Sequence, residues 1–259
     1  MILFTKIKRI LKVINYSFVL SGNFVSFFIF LFLFLSFKFI NKFKGVKVKM
    51  KFGGKKFNFY ITDRSDLSII EEMFIMEEYR IDDIDPLVIF DIGSNVGLSA
   101  IYFSLKYPDS RIYAFEPNKK TFLKMKRNVS SFNNIEIFNW AIADHDGQVE
   151  FFENERSMSS SIIKRSEKQE AVLVDCYKLD SIFEKLNINK VDLLKFDVEG
   201  FEYNIFNKFT QWNKVSYFIG EVHLDLMKED LNQFSELFSP YKIDLHKNSE
   251  KRFIFKAMN

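Results

Sequence analysis

Residues 88–118 read VIFDIGSNVGLSAIYFSLKYPDSRIYAFEPN. An apolar run closes on Asp91, and the turn Gly93-Ser94-Asn95-Val96-Gly97 follows. A helix-like segment then leads to a second apolar run, Arg111–Phe115, which closes on Glu116-Pro117. Strand, glycine turn, helix, strand and acid form the grammar of a nucleotide-binding βαβ unit. In such sheets ligands bind beyond the carboxyl ends of the strands, where the strand order reverses. Gly93 and Gly97 lack a Cβ and let the backbone turn tightly beside a ligand. Glu116 is placed to accept hydrogen bonds from two ribose hydroxyls, and Asp91 from an amine, directly or through water. Asn95 reads as scaffolding whose side chain ties the turn's own backbone.

The turn also narrows the cofactor. A dinucleotide fold expects G-x-G-x-x-G, with a pyrophosphate at the helix N-terminus. Here the pattern is G-x-N-x-G. An aspartate opening the turn suits a cofactor with an amine and no phosphate, and S-adenosylmethionine fits that description.

Working outward, the chain alternates strands and helices. Strand-like runs are Leu87–Asp91, Arg111–Phe115, Ile135–Asn139, Val191–Asp197 and Val215–Val222, with helices over Leu98–Lys106, Lys119–Ser131, Leu179–Lys185 and Phe201–Phe209. The extended runs Gly147–Glu153 and Ala171–Cys176 flank a polar segment, and Lys242–Leu245 with Arg252–Phe255 suit a closing antiparallel pair. This alternation predicts an α/β fold over residues 87–259: a mostly parallel seven-stranded sheet with helices on both faces.

A second constellation, VDLLKFDVEGFE, spans Val191–Glu202. Lys195, Asp197 and Glu199 alternate, so an extended backbone puts them on one face. Charges at the end of a core strand are costly unless paired or functional. Asp197 or Glu199 is therefore expected to act on or orient a substrate. The bland reading is an ion pair with Lys195, and Glu202 on the exposed start of a helix. Glu221 and His223 end the next strand; Glu221 reads as pocket wall, and His223 as either a base or a strand-end polar residue. Glu202, Glu221 and His223 complete the expected substrate side. No clear cage for a hard cation is visible among these acids, so no metal site is expected.

Upstream, Val46–Met50 and Phe57–Ile61 alternate apolar and polar residues around Gly53-Gly54, as a hairpin with lysines on its solvent face. Asp66 is the expected cap of a helix over Leu67–Tyr79. Residues 46–86 thus form a hairpin-helix cap, preceded by a basic and hydrophobic segment at 1–45. Within that segment Val13–Phe37 carries no charge, enough to cross a bilayer as one helix. The alternative is a helix on the membrane surface or packed on the globular domain. Residues 13–37 are the expected membrane attachment, and the lysines after them place the catalytic domain in the cytoplasm.

Composition sets limits. The 259 residues are 47% hydrophobic and 27% charged, which supports a substantial core. A net charge of +3 is too small to argue for a nucleic-acid partner. Cys176 is the only cysteine, which excludes an intrachain disulfide and a cysteine-rich metal site.

Together these residues resemble the FkbM family of S-adenosylmethionine-dependent methyltransferases. The matching residues are Asp91-Ile-Gly-Ser-Asn-Val-Gly97, Phe115-Glu116-Pro117, Asn139 with Ala141, and Ala143-Asp144 with Gly147. Lys195-Phe-Asp-Val-Glu-Gly-Phe-Glu202 completes the set. The resemblance implies a Rossmann-like class I methyltransferase and O-methylation of a sugar or natural-product hydroxyl. It implies cofactor roles for Asp91, Gly93 and Glu116, and an adenine-side role for Asp144. Methyl transfer to a hydroxyl asks the protein for alignment, exclusion of water and a base. Asp197 is the first candidate base and Glu199 the second, with Lys195 holding the carboxylate or the substrate. Two other classes stay open at this stage: a membrane-tethered nucleotide-binding module without catalysis, and a methyltransferase acting on nucleic acid or protein.

Overall fold

A computed structural model describes residues 2–36, 42–154, 160–167, 169–247 and 249–259. Two compact units divide the chain, Met1–Glu78 and Tyr79–Asn259.

In the first unit the apolar stretch forms two helices rather than one, α1 (Ile2–Leu20) and α2 (Phe24–Ser36). The break falls at Ser21-Gly22-Asn23. Asn23 Oδ1 accepts from the Ser26 amide at 2.8 Å and starts α2, and the Gly22 amide donates to Lys49 O at 2.7 Å. The expected single span over 13–37 is therefore corrected; residue 37 itself lies outside the described residues. α2 has 13 residues, about 20 Å of rise, against a hydrocarbon core of about 30 Å. α1 carries Lys6, Lys8, Arg9 and Lys12 in its sequence. Among the described residues no helix is long and apolar enough to cross a membrane.

The hairpin forms as expected from β1 (Lys42–Phe52) and β2 (Lys55–Asp63), with Phe52 opposite Lys55 across the Gly53-Gly54 turn. Val48, Met50, Phe57, Phe59 and Ile61 are buried, while Lys47 and Lys49 are exposed. α3 (Arg64–Glu71) follows at once and runs into a π-helical turn, Glu72–Met76. Its cap is Asp63 rather than Asp66. Asp63 Oδ1 accepts from the Ser65 amide at 2.7 Å, and Asp66 Oδ2 accepts from the Asp63 amide at 3.2 Å. The two acids form a capping box.

The second unit runs β3 (Val88–Ile92), α4 (Leu98–Lys106), β4 (Arg111–Phe115), α5 (Lys119–Asn128), β5 (Ile135–Phe138), β6 (Ala141–Ala143), β7 (Gly147–Glu153), β8 (Glu170–Lys178) and α6 (Leu179–Lys185). It continues with β9 (Val191–Phe196), α7 (Glu202–Asn207), β10 (Val215–His223), α8 (Leu231–Glu236), β11 (Lys242–Lys247) and β12 (Arg252–Met258). The large sheet has the order β11-β12-β10-β9-β3-β4-β5. β10, β9, β3, β4 and β5 are parallel, and β12 is antiparallel to both of its neighbours. The expected seven strands are all present. The two extra runs, β7 and β8, pair with each other and with β6 in a separate three-stranded sheet.

This order positions the site. The chain leaves β3 toward β4 and β5, then crosses to β9 on the other side of β3. The strand order therefore reverses between β3 and β9, where such sheets bind ligands. The register sets Asp91 against Lys195 on one side and Ala114 on the other. Asp91, Glu116 and Asp197 thus reach the same carboxyl edge. Beneath it, Phe90, Phe115, Phe183, Phe196, Phe206 and Phe255 are buried in one cluster, which absorbs much of the phenylalanine in the sequence.

Candidate active site

The turn after β3 takes left-handed backbone at Gly93, Asn95 and Gly97, with φ of 73°, 51° and 90°. Gly93 is required twice over, because a Cβ there would lie 1.9 Å from the Asp197 carbonyl oxygen. The Asp197 amide donates to Ile92 O at 3.1 Å, so the turn and the end of β9 are in direct contact. Gly97 serves packing, since its Cβ would meet Val129 Cγ1 at 2.9 Å and Met125 Cγ at 3.0 Å.

Asp91 is fully buried at the tip of β3. Its Oδ2 accepts from Ser94 Oγ at 2.7 Å and Ser99 Oγ at 2.6 Å, and its Oδ1 faces Lys195 Nζ at 3.1 Å. Lys195 also donates to Gly93 O at 2.8 Å and Ile92 O at 3.3 Å. The acid that Lys195 holds is therefore Asp91, not Asp197 or Glu199. Lys195 is itself buried, so it braces the turn from behind and does not face an acceptor. Asp91 likewise shapes the turn through side-chain bonds of its own.

Glu116 receives the Asn118 amide on Oε1 at 2.8 Å and the Asn95 amide on Oε2 at 3.0 Å. Burial pushes its pKa up to about 7, against the lowering effect of those two amides. The Asn95 side chain does not tie the turn together as expected. Among the described residues its Oδ1 is buried without a hydrogen-bond partner, and the tie is its backbone amide on Glu116. A buried amide oxygen without a partner beside a carboxylate is an arrangement that S-adenosylmethionine, rich in hydroxyl and amine donors, would satisfy. Asp144 follows β6 and pairs with His145 Nδ1 at 2.8 Å. No hydrogen bond or ion pair joins it to Asp91 or Glu116 among the described residues.

A second group of charged residues is built from the ends of β9 and β10. The chain leaves extended geometry after Phe196, and Glu199 takes φ 56°. Lys195, Asp197 and Glu199 consequently do not share a face. Glu199 Oε2 binds Arg165 at 2.7 Å, and Arg165 also donates to Glu199 O at 3.1 Å. Arg165 lies in the polar segment between β7 and β8, part of which (155–159 and 168) is outside the described residues. Nothing local in the sequence marks it as a partner.

His223 is fully buried at the end of β10. Its Nδ1 meets Glu202 Oε1 at 2.8 Å, and Glu202 also accepts from the Gly200 amide at 3.0 Å. Glu202, expected on the substrate side or at an exposed helix start, is fully buried behind His223 instead. The other face of the imidazole looks at three acids. Nε2 lies 3.5 Å from Glu199 Oε2, 3.5 Å from Glu221 Oε2 and 3.9 Å from Asp197 Oδ1. Burial lowers the His223 pKa, but the hydrogen bond to Glu202 and the charges of Glu202, Asp197 and Glu199 outweigh it and raise it to about 10. Glu221 is pushed up to about 7 by burial and by Asp197, against His223 and Arg252. Glu199 is raised by burial and by Asp197. Asp197 and Glu221 are only partly buried, so this cluster opens toward solvent.

The arrangement sets a buried carboxylate, Glu116, beside a glycine turn, and on the same sheet edge a group of carboxylates around His223. Comparison with known proteins gives the family. The family model "Methyltransferase FkbM domain" matches residues 91–239, more than half of the chain. The 2-O-methyltransferase NoeI of Sinorhizobium fredii is 28% identical over 47% of this chain and 56% of its own length. The hexuronic acid methyltransferase AglP of Haloferax volcanii is 24% identical over 61% of this chain and 64% of its own. The chain spans 56–66% of the length of three of the curated relatives it matches. Among solved structures, the Methanococcus jannaschii fibrillarin pre-rRNA processing protein superposes with a TM-score of 0.50 at 11% identity, covering 83% of this chain and 89% of that one. That likeness is one of fold.

Proposed function

The chain belongs to the FkbM methyltransferase family, whose methyl donor is S-adenosylmethionine, and on that premise we propose that it methylates a hydroxyl of a sugar, a glycan or a natural product. The observation that carries the proposal is the carboxylate cluster at the end of β9 and β10, in backbone contact with the glycine turn through Asp197 and Gly93. Relatives named as a 2-O-methyltransferase and a hexuronic acid methyltransferase support a sugar hydroxyl as acceptor.

When bound, S-adenosylmethionine supplies a methyl group on a positively charged sulfur. Glu116 and Asn95 Oδ1 are the residues we assign to hold its hydroxyls and amine. Gly93 and the bracing pair Asp91–Lys195 keep the turn in the shape that receives it. Asp197 is the group we assign to take the acceptor's proton, because Glu199 is engaged by Arg165 while Asp197 Oδ1 has no hydrogen bond among the described residues. A positioned base of this kind contributes about 10²–10⁴-fold. Incubation of the purified chain with methyl-labelled S-adenosylmethionine and a panel of sugars, nucleotide sugars and glycolipids tests the reading. Label that enters only protein or nucleic acid would overturn it.

We also propose that the first unit seats on a membrane surface at the cytoplasmic leaflet. α1 exposes Ile10, Leu11, Ile14 and Phe18, and α2 exposes Phe24, Phe28, Phe32 and Leu35, at the spacing of one face on each helix. Phe18 is 65% exposed, Phe24 77% and Phe32 60%, and large apolar side chains left exposed at this density mark an interaction surface. Lys51 lies 4.9 Å from the Phe18 ring, a basic group beside the apolar stripe as anionic lipid requires. The full chain should float with phosphatidylserine-containing vesicles, and the double change Phe18→Ser, Phe32→Ser should abolish flotation. A stable dimer in light scattering with no flotation would assign the stripe to a second copy and overturn the membrane reading.

A further inference from the structure

We propose that Asp197, Glu221 and His223 hold a divalent cation at the carboxyl ends of β9 and β10. The ligand class follows from the donors: two carboxylate oxygens and one imidazole nitrogen suit an ion of the manganese-to-zinc range. The three donor atoms lie within 4.8 Å of one another. Donors on one ion at about 2.1 Å stand roughly 3–3.5 Å apart, so closing on an ion needs only small side-chain shifts.

An acidic cluster alone would not make a site. The independent observation is His223. It is fully buried, and among the described residues its Nε2 makes no hydrogen bond while pointing at the cluster. Asp197 Oδ1, which it faces at 3.9 Å, likewise makes none. Two buried polar atoms aimed at each other without a hydrogen bond are costly unless something sits between them. The opposite nitrogen, Nδ1, is fixed by Glu202 at 2.8 Å. A carboxylate that orients one nitrogen while the other faces the ligand is the outer shell usual for metal-binding histidines.

Charge points the same way. Glu199 has Arg165 and Glu202 has the imidazole. Asp197 and Glu221 face the far edge of that imidazole, at 3.9 and 3.5 Å, with Arg252 acting on Glu221 from farther off. A divalent ion neutralises both, and it binds in exchange for the proton on His223 Nε2, which passes to solvent. The partial exposure of these two carboxylates leaves room for further oxygen ligands, including an acceptor hydroxyl. The role of the ion rests on the methyl-transfer reading. It would polarise that hydroxyl, with Asp197 binding the ion through one oxygen and taking the proton on the other.

The test uses the full chain, freed of metal with chelator and titrated with Mn²⁺, free ion being read by its electron paramagnetic resonance signal. A single bound ion per chain is expected. Glu221→Gln should weaken binding at least about 10-fold while leaving the melting temperature nearly unchanged. Glu202→Gln, which acts through His223, should weaken it by about 10- to 100-fold. Glu116→Gln, on the cofactor side, should bind Mn²⁺ as the parent does. Absence of binding, or affinity unmoved by both Glu221→Gln and Glu202→Gln, overturns the site. The two readings fail separately. Methyl transfer to a sugar that persists undiminished in chelator, with no Mn²⁺ bound, removes the ion and keeps the activity. Tight Mn²⁺ binding with no transfer to any hydroxyl removes the activity and keeps the ion.

Discussion

Two clusters of buried charge sit a few residues apart on the same sheet edge, and they are built in opposite ways. Around Asp91, Oδ2 takes two serine hydroxyls, and Oδ1, which makes no hydrogen bond among the described residues, faces the Lys195 ammonium that also donates to the Gly93 carbonyl. Around His223 one nitrogen is fixed by Glu202, and the other faces three acids without a hydrogen bond among the described residues. Both clusters are charged, both end core strands, and both lie in the family's matched region. Charge balance is what separates them: the closed cluster pairs one carboxylate with one buried ammonium and shapes the backbone, whereas in the open one several carboxylates crowd a single imidazole, as a site awaiting a ligand would.

The largest test of that contrast is Lys195→Met. The ammonium is 2% exposed and Asp91 is 0% exposed, so the change leaves an uncompensated buried carboxylate. A loss of about 3–5 kcal/mol in stability is expected, read by urea unfolding. A loss under about 1 kcal/mol would mean that the closed cluster is not structural. Asp197→Asn is the opposite case. Turnover should fall about 100-fold or more, with S-adenosylmethionine affinity unchanged by calorimetry. Stability should hold or rise slightly, because one of several crowded acids has been neutralised. A destabilised protein with normal turnover would reverse the two roles.

Glu116 lies between these extremes, being hydrogen-bonded by its own loop yet assigned to a ligand. Its pKa is pushed from 4.5 up to about 7, chiefly by burial. A carboxyl raised in the folded state binds its proton more tightly there than in the unfolded chain. Its burial therefore carries no cost below about pH 4.5 and its full cost above about 7. Stability should fall across that window as pH rises, with Glu116 contributing about 3 kcal/mol at most. Asp66, raised to about 6, and Glu221, raised to about 7, act in the same direction. Comparing the parent with Glu116→Gln isolates the Glu116 share; the variant should show the shallower slope. Affinity for S-adenosylmethionine should move the other way, rising through about pH 7 as the carboxylate that accepts the ribose hydroxyls ionises. A pH-independent affinity would break the assignment.

How much of this was legible in the sequence follows from range. The parallel strands are short apolar runs punctuated by glycines and acids, so their existence, and their ends to within one residue, could be read directly. Gly93 and Glu116 were legible because turn and acid lie within one βαβ unit. The failures are non-local or depend on backbone shape. Lys195, Asp197 and Glu199 share a face only if the strand continues, and it stops at Phe196. Glu202 resembles a solvated helix start until His223, 21 residues on, is brought against it. Arg165 is 34 residues from Glu199 with no motif of its own. At the N-terminus a hydropathy reading averages over Ser21-Gly22-Asn23, whereas Asn23 starts a new helix there. Asp63 and Asp66 are both good cap residues three apart, and only the geometry says which one caps and which closes the box.

The smallest expected effect bears most directly on whether an unsatisfied atom marks a ligand. Asn95 holds φ 51°, a conformation that glycine adopts more cheaply than any L side chain. Its Oδ1 has no partner to lose among the described residues, and its amide bond to Glu116 survives any side-chain change other than proline. Asn95→Gly should therefore leave stability within about 1 kcal/mol of the parent, since relief of the left-handed backbone offsets the added entropy of the unfolded chain. If the orphaned oxygen serves the cofactor, affinity for S-adenosylmethionine should fall by roughly one hydrogen bond, about 1 kcal/mol or some fivefold. Calorimetry on a protein of unaltered melting temperature separates the two contributions cleanly. Unchanged affinity would return Asn95 to the closed cluster as scaffolding and leave Glu116 to hold the ribose alone.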